Sequence, residues 1–151
     1  RTLISENSKF QISCNTESTA FYNTNFAPTY YHTVRFIRLY QFAKLNPMPG
    51  TIDALSYLNT CGVPVEILSS TARNEFYDQI SRQKEDWLTK YGIYFPRNFV
   101  PGKRFKKDFA APDKIIIDDT ESIIDQWRAK GGIGIWHKNW TDTLAILRQY
   151  V

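Results

Sequence analysis

The sequence predicts a single α/β domain: a parallel five-stranded sheet with helices on both faces and a minimal N-terminal cap or flap. Three observations lead there. From Pro49 onward short apolar runs alternate with amphipathic segments, and strands that alternate with helices pair in parallel and are covered on both faces. The 151 residues suit one domain, since two cores in so short a chain would each bury little surface. Hydrophobic residues make up 42% and charged residues 23%, which excludes a disordered or fibrous chain. No repeat, low-complexity tract or linker divides residues 1–151, and residues 18–48 are read as the cap or flap insertion.

The elements follow in order. Phe10 to Cys14 is the candidate first strand, and Tyr30 to Lys44 reads as a helix with Val34, Ile37 and Phe42 among its apolar members. Thr51 to Thr60 places Ile52, Leu55 and Leu58 on one side of a helix that Cys61-Gly62 ends. Val63 to Leu68 suits a strand interrupted by Glu66. Asn74 to Tyr91 is a longer helix, with Phe76, Ile80, Trp87, Leu88 and Tyr91 at helical spacing and Gly92 at its stop. Asn98 to Val100 is a brief strand, and Lys106 to Ala110 one helical turn. Lys114 to Ile117 is a strand with three consecutive Ile. Thr120 is a candidate cap for a helix from Glu121 to Lys130, where Ile123, Ile124 and Trp127 share a face. Ile133 to Trp136 is the last strand, and Thr141 begins the last helix.

Composition narrows the chemistry. Cys14 and Cys61 are too few for a disulfide scaffold or a cysteine-rich zinc site, and two thiols suit a reducing, cytoplasmic setting. No stretch approaches the roughly 18 apolar residues of a membrane helix, so no membrane partner is expected. The formal charge of +4 is compatible with an anionic partner without requiring one. Residue 1 is Arg and the single Met is Met48, which leaves open what precedes Arg1.

In an open α/β sheet, ligands bind beyond the carboxyl ends of the strands. After the first strand come Asn15-Thr16-Glu17-Ser18-Thr19. After Val65-Glu-Ile-Leu68 come Ser69-Ser70-Thr71. Lys106 stands in the basic run Lys103 to Lys107, and Asp118-Asp119 follow Ile115-Ile-Ile117. Hydroxyls and a lysine hold phosphate oxygens, and one or two carboxylates suffice for magnesium, which keeps several waters. Each feature also has a plainer reading: Ser69 and Ser70 as the start of a loop, Lys106 as a solvated charge, Asp118-Asp119 as a helix cap. Lys103, Arg104 and Lys107 around Phe105 are candidate nucleic-acid contacts, or else a solvated basic loop.

Residues 10 to 140 resemble the haloacid dehalogenase-like (HAD-like) phosphohydrolase superfamily, and within it small bacterial and phage deoxyribonucleotidase-like proteins. Val65-Glu-Ile-Leu-Ser-Ser-Thr71 resembles the second motif, Lys106-Lys-Asp-Phe-Ala110 the third and Ile115-Ile-Ile-Asp-Asp-Thr120 the fourth. The resemblance implies a Rossmann-like HAD fold. It also implies phosphate contacts from Ser69, Ser70 and Lys106, and magnesium bound by Asp118 with Asp119 in support.

The first motif departs from the pattern. The family carries Asp-x-Asp after the first strand, with a nucleophile and then a general acid–base; here Asn15 and Glu17 stand at those positions, and no Asp precedes Asp53. A carboxamide is neutral and a poor nucleophile, and loss of a covalent nucleophile costs on the order of a millionfold in turnover elsewhere. Glu17 retains a carboxylate displaced by roughly 1 Å, a misplacement that costs about a hundredfold. The expectation is a catalytically impaired module, a pseudoenzyme that binds a phosphate or nucleotide or serves structurally in a larger assembly. Magnesium is expected if the site is retained, and otherwise no cofactor. The alternatives are an active magnesium-dependent nucleotidase or polynucleotide phosphatase, with its Asp-x-Asp before Arg1, and a nucleic-acid-binding accessory protein.

Overall fold

A computed structural model of the protein describes residues 9–12, 30–71 and 73–151, with the backbone alone described for 9–12 and 30–33. Asn15, Glu17, Cys14 and the 18–29 part of the expected cap lie outside the described residues.

Strands β1 (Lys9–Ile12), β2 (Val65–Ser70), β3 (Arg97–Val100), β4 (Lys114–Asp118) and β5 (Ile133–Trp136) form a sheet in the order β3-β2-β1-β4-β5. All four neighbouring pairs are parallel. β1 is central: Ile12 pairs with Ile67 on one side and Ile117 on the other. The α-helices are α1 (Tyr30–Arg38), α2 (Thr51–Thr60), α3 (Tyr77–Lys90), α4 (Glu121–Ala129) and α5 (Trp140–Leu147).

The pleat divides the core in two, because successive side chains of a strand point to opposite faces. Val65, Ile67, Ile115 and Ile117 pack with Leu55 and Leu58 of α2, Trp87 and Leu88 of α3, and Leu147 of α5. Leu68 and Ile116 face the other way, against Ile123, Ile124 and Trp127 of α4. The α4 face fits closely on the last strand. A Cβ on Gly132 would stand 2.3 Å from Trp127 Nε1, and one on Gly134 would stand 2.8 Å from Ile124 Cγ2. Glycine is therefore what admits the helix at this distance.

Several boundaries differ from the sequence reading. The helix expected over Tyr30 to Lys44 stops at Arg38. A 3-10 turn, Gln41–Lys44, follows after Tyr40 takes a left-handed conformation at φ 57°. The break turns Phe42 inward, where it packs with Ile37, Phe76 and Ile80. Gln83 of α3 makes this break tolerable: its side-chain oxygen accepts from Phe42 N–H at 3.1 Å, and its amide donates to the Ile37 carbonyl at 2.7 Å. Without Gln83 the Phe42 N–H would be buried without this partner, while the Ile37 carbonyl would keep only its bond from Tyr40 N–H.

The second strand runs Val65–Ser70, two residues later than expected at both ends. Ser69 and Ser70 pair with Phe99 and Val100, so they belong to the ladder and are not the start of a loop. The expected helix over Asn74 to Tyr91 begins with a 3-10 turn, Asn74–Phe76, and continues as α3. The single turn expected at Lys106 to Ala110 is a longer 3-10 segment, Lys103–Phe109. Thr120 precedes α4 without a side-chain cap bond; its carbonyl accepts from Ile123 N–H and Ile124 N–H. The last helix starts at Trp140, one residue early, because Asn139 caps it by accepting from Asp142 N–H at 2.8 Å.

Candidate functional site

The carboxyl end of β4 holds a buried ion pair. Asp118 lies two residues beyond Ile116, so the pleat points it to the face covered by α4 and the 103–109 segment. Phe105 and Phe109 pack their rings against that core, which draws the intervening Lys106 inward. Lys106 Nζ meets Asp118 Oδ2 at 2.9 Å, with both side chains 0% exposed. A charge removed from water is tolerated only when paired and hydrogen-bonded. The second carboxylate oxygen completes this, since Asp118 Oδ1 accepts from Thr120 N–H at 2.8 Å. Lys106 is therefore no solvated member of a basic run, and Asp118 is the last residue of β4, not a helix cap.

Asp119 is half-buried. Its backbone carbonyl accepts from Trp136 Nε1 at 3.0 Å, and Thr120 Oγ1 approaches its carboxylate at 3.3 Å. His137 follows β5 and donates its N–H to the Asp118 carbonyl at 2.8 Å, while its Nδ1 lies 2.7 Å from Thr143 Oγ1. Burial pushes the His137 pKa below its usual value, against a smaller upward pull from Asp119 and Asp118.

The carboxyl end of β2 holds the second polar centre. Ser69, Ser70 and Thr71 are all buried. Thr71 continues the strand direction by donating its N–H to the Val100 carbonyl at 2.9 Å. Lys84 arrives from α3, with Nζ 2.8 Å from Ser69 Oγ and 2.6 Å from the Ser70 carbonyl oxygen. It is only 2% exposed. The sequence reading passed over Lys84, although a signal was available: it occupies the apolar stripe Ile80, Lys84, Trp87, Leu88, a helix face where a lysine is out of place unless it has a buried partner.

The sheet brings these centres to one end. Ile12 of β1 pairs with Ile67 and Ile117, which stand two residues before Ser69 and one before Asp118. Ser69, Ser70, Lys84, Lys106, Asp118 and Asp119 thus gather at the carboxyl end of the strands flanking β1. Asn15 and Glu17 lie outside the described residues. Of the three basic candidates, Lys103 and Arg104 are exposed on an open groove, while Lys107 is half-buried and does not line it.

The donor set also bears on a divalent cation. Among the described residues, no three His, Cys, Asp or Glu side chains gather into a metal-binding group. Asp118 and Asp119 are hard oxygen donors of the kind magnesium takes. The residues present fit such an ion, with Lys106 offsetting part of the Asp118 charge.

No protein-family model matches the chain, and no curated protein sequence matches it. Among solved structures it is similar to the crystal structure of D,D-heptose 1,7-bisphosphate phosphatase from Burkholderia thailandensis. The two share 12% identity, with a TM-score of 0.50 over 92% of this chain and 84% of that one. At that identity the likeness concerns the fold alone. No described helix is long and apolar enough to cross a membrane.

Proposed function

We propose that the chain is a phosphate-binding module on a HAD-like phosphohydrolase fold, impaired in covalent hydrolysis. One observation carries the binding half: two buried lysines, Lys84 and Lys106, stand with Ser69, Ser70 and Asp118 at the carboxyl ends of the strands that flank β1. Hydroxyl and Nζ donors so placed suit a phosphate monoester, with each lysine acting as a positive point on its oxygens. The other half rests on Asn15 and Glu17, at the two positions where the resemblance requires Asp. Asn15 offers an amide in place of an attacking carboxylate, so the aspartyl-phosphate step has no nucleophile there.

Asp118 and Asp119 would hold magnesium, which supplies positive charge to phosphate oxygens when bound. The chain's own groups do the rest. Lys84 and Lys106 draw the anion to the strand ends, and Ser69 and Ser70 orient it. The ligand in this reading is a nucleotide or a nucleic-acid end. A phosphatase panel with magnesium tests it on the unmodified chain and on the Asn15→Asp, Glu17→Asp double variant. The expected result is negligible release of phosphate by the former and measurable release by the latter. Ordinary turnover by the unmodified chain would overturn the reading.

A further inference from the structure

Beside the strand ends, two loops distant in sequence converge on a cavity. Arg73 and Asn74 follow β2, and Pro101 to Phe105 follow β3; together they line an open groove of about 700 Å³. The groove is lined by the segments that leave β2 and β3 beside the proposed phosphate site. Ser70 pairs with Val100, and Thr71 bonds to the Val100 carbonyl; Pro101, next after Val100, and Arg73, two beyond Thr71, are groove residues. Three cations, Arg73, Lys103 and Arg104, stand on this one concavity. A carboxylate is also near, since Glu75 approaches Arg73 at 3.5 Å. The Arg104 guanidinium lies over the Phe105 ring, 4.7 Å from its centroid, giving the groove an aromatic and cationic plane.

We infer that this groove receives the nucleotides adjoining a terminal phosphate, so that the ligand is a single-stranded polynucleotide end and not a lone mononucleotide. The inference rests on the phosphate-site reading above and extends it to ligand class. Cations along a concave track follow a phosphodiester backbone, and an aromatic or guanidinium plane stacks on a base regardless of sequence. A chain held this way has its end at Ser69, Ser70 and Lys84 and its next phosphates at Lys103 and Arg104. The neighbouring Lys106 is withheld from the groove by its buried pair with Asp118.

Fluorescence anisotropy tests this with a short 5′-phosphorylated oligodeoxythymidylate, competed by thymidine monophosphate and by thymidine 3′,5′-bisphosphate. The oligonucleotide is expected to bind about tenfold or more tightly than the monophosphate, the return of one good stacking contact. The Lys103→Gln, Arg104→Gln double variant is expected to lose most of that ratio and to shallow the salt slope by about 1.4, two cations at about 0.7 each. Lys90→Gln, a charge change at the far end of α3, is expected to keep both. An unchanged ratio in the double variant overturns the inference, as does a bisphosphate that binds as tightly as the oligonucleotide. Removing the 5′-phosphate separates the two levels. Equal affinity without it sinks the phosphate-site reading and end recognition with it, whereas a large loss together with an unaltered double variant sinks the groove alone.

Discussion

Lys106 and its neighbours Lys103 and Arg104 sit on one 3-10 segment, carry the same charge, and do opposite things. Lys106 is fully buried against Asp118, while Lys103 and Arg104 face the open groove. The difference lies in the packing of two rings. Phe105 and Phe109 anchor the segment to the α4 face of the core and carry Lys106 inward with them. A run of basic residues is thus divided by the fold into a structural ion pair at the strand ends and a solvent-facing track beside them. Charge counting alone treats the two alike, and burial decides which is held in the pair at the strand ends and which stays open to the groove.

Breaking the buried half has the largest expected effect. Lys106→Met strands the Asp118 carboxylate, and Asp118→Leu strands the ammonium. Each is expected to cost about 3–5 kcal/mol, read from urea unfolding midpoints. The combined Lys106→Met, Asp118→Leu protein should be clearly more stable than the sum of the two losses implies, because neither charge is left alone. Simple additivity would mean that the pair is not coupled as the 2.9 Å contact requires.

Gln83 sharpens the comparison with a buried polar group that carries no charge. Gln83→Leu removes the partner of Phe42 N–H and one of the two donors to the Ile37 carbonyl, which keeps Tyr40 N–H, an expected loss of about 1–3 kcal/mol for the one buried group left unsatisfied. Amide hydrogen exchange should show the loss concentrated over residues 36–45, and uniform exchange across the sheet would contradict it. Gly132→Ala probes the α4 face from its other side. Its Cβ would collide with the Trp127 indole, and an overpacking cost of about 1–3 kcal/mol should appear as a lower unfolding midpoint. At the small end, Lys103→Gln with Arg104→Gln should leave stability within about 0.5 kcal/mol while changing the salt dependence of polyanion binding. A large fall in stability would place these two side chains inside the structural unit with Lys106.

Much of this was legible in sequence, for reasons that differ by element. Ile115, Ile116 and Ile117 announce a strand buried on both faces, and Ile123, Ile124 and Trp127 a helix face, because apolar periodicity maps directly onto burial. The position of Asp118 followed from the strand before it. What stayed hidden depends on contacts remote in sequence. Nothing local marks the break after Arg38, since Gln83, more than forty positions away, satisfies the Phe42 N–H and adds a second bond to the Ile37 carbonyl. Nor does anything local extend β2 through Ser69 and Ser70; their ladder partners Phe99 and Val100 do that. Lys84 is the instructive case, because a lysine among Ile80, Trp87 and Leu88 signals a buried partner but does not say that the partner is Ser69 and the Ser70 carbonyl.

The central claim, retained phosphate binding with impaired hydrolysis, is tested most directly by following the ³¹P spectrum of a nucleoside monophosphate with the protein and magnesium. The account predicts a perturbed monophosphate resonance that reverts in a folded Lys84→Met variant, with no inorganic phosphate signal growing over time. A growing phosphate peak at ordinary enzyme rates, about 1 s⁻¹ or faster, or a monophosphate resonance indifferent to the protein, would contradict it.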